Sequence, residues 1–263
     1  MLSQSAKLAS LLFLCLTGVF LIGLQWKPWG WLMLLVGSLF LLLTKRQFAK
    51  YVLLAYISVA ILGATPINTD ISWGHAVFMG LTLLTALLVP YAVSRHVWKD
   101  KILQFKFHHG RNWYKKEVAY IFITAALAYL LLPFYLRDTG SYLNWTVEPG
   151  TGNIIRFFIG TNALGIWDEL FFISILLGIF RQFMPFTLAN LSQATLFTSF
   201  LYELGFRGWG PLPIFIFALT QGYIFKKTES LLYIITIHLT LDLVLFLALL
   251  DAHHPGWVPI FVT

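Results

Sequence analysis

Apolar residues in this chain neither alternate at the two-residue period of a half-buried strand nor mark a single stripe of a helix. They run in blocks about 15–25 residues long, the length needed to cross a hydrocarbon core. Nine blocks lie near residues 8–25, 29–44, 51–66, 75–94, 117–136, 154–180, 186–204, 211–225 and 230–250. Each predicts a helix, because a segment in lipid must satisfy its own backbone hydrogen bonds. Several blocks are short, so tilting, re-entry or burial by neighbours is expected of them. The pattern therefore predicts an all-α fold, a polytopic integral membrane helical bundle of about nine transmembrane helices.

Composition sharpens this. Of the 263 residues, 59% are hydrophobic and only 11% charged, where a soluble domain carries about 25% charged residues. Nothing in the chain could cover so much apolar surface in water, which excludes a soluble domain. The first block follows "MLSQSAK" and is read as a retained helix. The text after it, "IGLQWKPWGW", offers interfacial aromatics rather than a small-residue cleavage site.

Charge sets an orientation. Basic residues gather before the first block (Lys7) and after the second ("KRQFAK"), fourth (95–116), sixth (Arg181) and eighth ("KK" at 226–227). The opposite side keeps Lys27, Arg137, Arg156 and Arg207. That asymmetry predicts a cytoplasmic N-terminus and an outer C-terminus in a multi-pass protein, and the lack of a cleaved signal and of organelle signals fits a prokaryotic inner membrane. It also accounts for the net charge of +7 with the lipid bilayer as partner and no nucleic acid. The single cysteine, Cys15, permits no intrachain disulfide and no cysteine metal cluster.

The chain divides into helices for packing (1–94), a basic loop (95–116), a core with intramembrane polar groups (117–250) and a tail (251–263). The loop, "RHVWKDKILQFKFHHGRNWYKK", is basic and aromatic, and is expected to form an amphipathic helix on the cytoplasmic leaflet. His108 and His109 read as solvated surface. His253 and His254 read as part of a flexible exposed tail.

Candidate chemistry sits in the core. "GIWDELFFISIL" buries Asp168 and Glu169 side by side in the sixth block. A charged group at mid-membrane costs about 2.5–3.5 kcal/mol on insertion scales, and neighbouring carboxylates resist ionising together. They must therefore face the bundle interior and find partners. The ninth block supplies one: "HLTLD" sets His238 and Asp242 at i and i+4, on one helix face about 6 Å apart along the axis. An aspartate so placed can fix the tautomer of the histidine. Glu203 and Arg207, also i and i+4, suit a salt bridge at the end of the seventh block, and Gln221 is a further hydrogen-bonding group.

The order of these pieces resembles the CAAX-protease and bacteriocin-processing (CPBP, or Abi) family of intramembrane proteases over about residues 117–250. "DELFFI" resembles the family's E-E-x-x-x-R motif, with Ile173 where arginine is expected. "FTSFL" resembles F-x-x-x-H at Phe197, with Leu201 where histidine is expected. "HLTLD" resembles H-x-x-x-N, with Asp242 for asparagine. Glu203 and Asp242 are also similar to the acidic middle motif and H-x-x-x-D of PrsW-type proteases.

The resemblance implies an endopeptidase acting on a membrane-associated peptide or protein substrate. Peptide hydrolysis needs a base for water, charge stabilisation for the oxyanion and an acid for the leaving amine. The catalytic set implied is Asp168 or Glu169 as base, His238 oriented by Asp242 as oxyanion partner or acid, and Glu203 as an auxiliary group. No cofactor is required, although an Asp/Glu/His cage for a divalent metal such as zinc is compatible with these residue types. Two other classes stand beside this reading. One is an inactive pseudo-protease that binds membrane partners, favoured by Ile173 and Leu201. The other is a transporter or proton relay, which also uses intramembrane acids and histidines but for which the inverted repeats typical of transporters are lacking.

Overall fold

The computed structural model describes residues 2–100, 102–108, 110 and 112–261. His109, Lys101 and Arg111 of the basic loop lie outside the described residues. Among those described, the chain is helical and has no strand: α1 (Leu2–Thr17), α2 (Lys27–Leu41), α3 (Arg46–Ala64), α4 (Trp73–Ala92), α5 (Lys115–Asp138), α6 (Thr151–Asp168), α7 (Gly178–Phe183), α8 (Phe186–Glu203), α9 (Pro211–Thr228) and α10 (Leu231–His253). Three stretches are π-helical. Gly18–Gly23 continues α1, Val93–Val97 continues α4, and Glu169–Leu177 joins α6 to α7 in one continuous rod.

Among the described residues, the nine apolar blocks thus correspond to nine helical rods. Six are long and apolar enough to cross a membrane: Gln4–Gly23, Arg46–Ala64, Trp73–Val97, Lys115–Asp138, Thr151–Phe183 and Leu231–His253. The other three fall short for separate reasons. α2 has only 15 residues. α8 carries Asn190, Ser192, Gln193, Thr195, Thr198 and Ser199. α9 ends on Lys226 and Lys227.

The polar residues of α8 lock it to α9. Asn190 Nδ2 donates to Leu219 O (2.8 Å), and Gln193 Nε2 to Ala218 O (2.9 Å) and Asn190 Oδ1 (2.9 Å). Gly222 makes room, since a Cβ there would collide with the Asn190 carboxamide. Small residues at a helix crossing and amides bonding across it are the usual adhesives where lipid supplies no hydrophobic drive.

The 33-residue rod Thr151–Phe183 is the central post, with 78% of its apolar window buried. α4 and α5 are peripheral and turn large apolar side chains outward, Phe122 and Leu130 being 70% and 67% exposed, as lipid-facing helices do. α10 packs against α5, α6, α9 and the π-helical stretch. The last block therefore meets the sixth at the centre of the bundle.

Two expectations are corrected. The described residues between 98 and 114 form no helix. Asp100 instead accepts from Tyr51 and from Ser94 Oγ (2.6 Å). The backbone of Lys106 and Phe107 accepts from Leu231 and Leu232 (2.8 and 3.0 Å), and Lys106 pairs with Glu229 (2.8 Å). The Lys106 and Phe107 carbonyls are committed to the start of α10 rather than to a helical ladder of their own. The tail is likewise docked rather than free. His253 Nε2 lies 2.9 Å from Tyr142 O and His254 Nε2 3.0 Å from Val147 O. Trp257 stacks on His254 and Phe261 on Tyr129. The two imidazole–carbonyl contacts hold this strap against the α5–α6 connection, and Phe261 ties its end to α5.

Candidate functional site

Trp167 fixes the rotation of α6. Its Nε1 donates to Leu83 O on α4 (2.8 Å), and its ring packs on Phe171, Phe172 and Phe200. With Trp167 held on that side, the next residue turns about 100° around a 3.6-residue helix and presents Asp168 toward α10. At Glu169 the helix widens, and the Gly178 N–H reaches back five residues to Ile173 O. In a widened turn each residue sweeps a smaller angle, so Glu169 departs less in direction from Asp168 than in an α-helix. Such insertions recur at functional sites.

Both acids meet His238. Its Nδ1 lies 2.8 Å from Glu169 Oε1. Its Nε2 lies 3.9 Å from Asp168 Oδ2 and 3.8 Å from Asp242 Oδ1. Gln221 on α9 donates to the same Glu169 Oε1 (2.8 Å) and to Ile234 O (3.0 Å). Glu169 is thus held from two sides and holds one face of the imidazole, leaving Nε2 between two aspartates. Phe197 and Phe217 close on the ring edge-on, at 6.0 and 5.4 Å. The four ionisable residues and Gln221 are all buried.

The expectation that Asp242 orients His238 shifts accordingly. The direct bond comes from Glu169, across 69 residues of sequence, while Asp242 stands off the opposite nitrogen. Gly165 is what admits Asp242 there. A Cβ at Gly165 would collide with Asp242 Oδ2 and sit 3.2 Å from His238 Cδ2. One oxygen of each acid (Asp168 Oδ1, Glu169 Oε2 and Asp242 Oδ2) is buried without a protein partner. Buried polar atoms of this kind call for water or a ligand.

A cavity of about 410 Å³ reaches the cluster. Asp168, His238 and Asp242 stand in its wall among apolar side chains of α5, α6, α9 and α10, and Leu201 stands there too. The size suits a bound peptide or lipid segment. Glu203 is elsewhere, at the end of α8, paired with Arg207 at 3.3 Å. Ile173 is packed in the core. Among the described residues, no group of three or more His, Cys, Asp and Glu side chains is placed to hold a metal ion.

Three contributors escaped the sequence reading: the bond from Gln221 to Glu169, the π-helical turn and Gly165. The last had a signal, a glycine three residues before an intramembrane acid, where close helix approach is common.

Residues 150–244 match the family described as type II CAAX prenyl endopeptidase Rce1-like. No curated protein and no solved structure matches the chain. The matched segment runs from the start of α6 to within α10 and contains all four clustered residues. The resemblance to CAAX proteases therefore holds in this region. Together with six long apolar helices among the described residues, it supports an integral membrane protein.

Proposed function

From the family match in residues 150–244, we propose that the protein is an intramembrane endopeptidase of the CAAX-protease type that hydrolyses a peptide bond in a membrane-associated substrate. The observation that carries this reading is the convergence of Asp168, Glu169 and Asp242 on His238 in the wall of an apolar cavity.

Nε2 stands 3.9 Å from Asp168 Oδ2 and 3.8 Å from Asp242 Oδ1. Those gaps are too long for direct hydrogen bonds and suit one water bridging the three atoms. Asp168 takes a proton from that water as its oxygen attacks the carbonyl carbon. The displaced electron pair moves onto the carbonyl oxygen, where protonated Nε2 of His238 donates to it. The tetrahedral centre then collapses, and the amine leaves with the proton Asp168 took. Glu169 and Gln221 act on the ring rather than on substrate: they hold Nδ1 and so the direction of Nε2. The test is cleavage of a membrane-anchored peptide by purified protein, with an inert wild-type protein as the overturning result.

One observation favours the pseudo-protease reading. Leu201 occupies the cavity wall where the family expects histidine. Leu201→His separates the two. An active enzyme should keep or raise its rate, because a second imidazole joins the wall that already holds a working set. A protein inert both as wild type and as Leu201→His, yet still supporting its cellular role, is a binder.

The orientation we propose, with the N-terminus cytoplasmic, rests on the basic connections. In a Cys15→Ala background, Lys116→Cys should react with an impermeant maleimide from the cytoplasmic face. Labelling from the outer face alone would reverse the topology.

A further inference from the structure

A second cavity, of about 360 Å³, lies between α4 and α6, without the acids of the cluster in its wall. It shares Trp145, Thr161, Leu164 and Leu204 with the first. Its two ends differ in chemistry. One is apolar, with Met79, Leu83, Leu84 and Leu164 in its wall. The other, near the starts of α4 and α6, holds His75 and Arg156.

Three nitrogens in this lining are buried without a partner: His75 Nε2, Trp145 Nε1 and Arg156 Nε. Trp145 is 6% exposed. An indole N–H and a guanidinium Nε–H can only donate, so two of the three orphans ask for an acceptor. The rest of the guanidinium is fixed in place, with Nη2 on Asn153 Oδ1 (2.7 Å) and its face 5.0 Å over the Trp73 ring. Asp70, the one carboxylate in the lining, accepts from Ser72 N–H (2.8 Å) and Ser72 Oγ (2.9 Å), and its charge also lies within electrostatic reach of His75 and Arg156, offsetting part of their positive field without supplying the missing acceptor.

Depth is consistent with a headgroup. Arg156 lies five residues into α6, about 7.5 Å along its axis, and Trp73 is an exposed aromatic at the start of α4, as found at membrane interfaces. A cationic donor at that level above an apolar slot matches one amphiphile, with phosphate oxygens at the top and a hydrocarbon chain below.

We infer that the α4–α6 cavity is a binding site for an anionic phospholipid, its phosphate held by Arg156, Trp145 and His75 and an acyl chain lying against Met79, Leu83, Leu84 and Leu164. Trp145 also lines the first cavity, but His75 and Arg156 do not, so the inference does not rest on the peptidase reading. It gives the wall behind Asp168 a structural lipid.

Purified protein in neutral detergent is titrated separately with dioleoyl phosphatidylglycerol, dioleoyl phosphatidylcholine and inorganic phosphate, with bound species counted by native mass spectrometry. One phosphatidylglycerol should bind about tenfold more tightly than phosphatidylcholine, the scale of a charge-assisted hydrogen bond. Arg156→Gln should erase that preference. Leu84→Trp, which fills the apolar end, should weaken both lipids and leave the preference intact. If Arg156→Gln does not fold, Trp145→Phe removes a single N–H and should weaken phosphatidylglycerol by several-fold. Equal binding of the two lipids to wild type overturns the inference, as does an unchanged preference in Arg156→Gln or, in its place, unchanged binding by Trp145→Phe. Saturation by inorganic phosphate alone would mean an anion site without lipid, and would overturn it equally.

Discussion

Asp168→Asn should reduce cleavage of a membrane-anchored peptide by at least about a hundredfold, the lower end of what a positioned general base contributes. The substitution keeps shape and removes only the capacity to take a proton. Asp168 is buried in the cavity wall with Oδ1 unpartnered and Oδ2 3.9 Å from His238 Nε2. No ladder or cap depends on its charge, so the fold should persist, as read by thermal unfolding in detergent. His238→Ala should lose activity as completely. Glu169→Gln should lose less if it only orients the ring, because an amide oxygen still accepts from Nδ1. A wild-type rate in Asp168→Asn would remove this residue as base and return the role to Glu169. Full cellular function in all three variants would replace catalysis with binding.

Gly165→Ala should cost stability and activity together. The new methyl would collide with Asp242 Oδ2 and approach Asp242 Cγ to 3.1 Å and His238 Cδ2 to 3.2 Å. Overpacking of this kind costs about 1–3 kcal/mol, and a catalytic group moved by about an ångström can cost a hundredfold in rate. Gly160→Ala is the control, on the same helix with nothing within 4 Å of its added methyl. It should be neutral or slightly stabilising, since alanine favours helix over glycine. Adding Asp242→Ala to Gly165→Ala should recover stability by removing the collision, while leaving activity low. If Gly165→Ala equals Gly160→Ala in both readouts, Asp242 does not rest where the geometry puts it.

The helices were legible because lipid imposes a length and a composition that soluble folds do not. All nine apolar blocks became rods, including α2, too short to span, and α8, whose amides are explained by the carbonyls of α9. The acids and the histidine were legible for a related reason: ionisable groups at membrane depth have few excuses. Their pairing was not. Sequence spacing can place Asp242 under His238, but the bond from Glu169 depends on a crossing of α6 and α10 that no local pattern encodes. The π-helical turn at Glu169 is equally silent, since the choice between four-residue and five-residue bonding is made by packing around the rod. Residues 95–116 misled because their composition is amphipathic while their backbone is committed to Leu231 and Leu232. The tail misled because the docking of His253 and His254 needs the carbonyls of the α5–α6 connection already in place.

The meeting of α6 and α10 has a consequence for biogenesis. Chains are made from the N-terminus and fold in that order, so the segment carrying Asp168 and Glu169 leaves the ribosome about seventy residues before His238 does. During that interval two carboxylates must enter or approach the bilayer without the imidazole and without Gln221. The insertion machinery, or a late tilt of the Thr151–Phe183 rod, has to shelter them until α10 arrives. Ribosome-arrested chains ending before residue 238 should therefore integrate this segment poorly, and Asp168→Asn with Glu169→Gln should integrate it well. The same delay keeps the nascent protein inert: no base faces its histidine until the last helix is in the membrane.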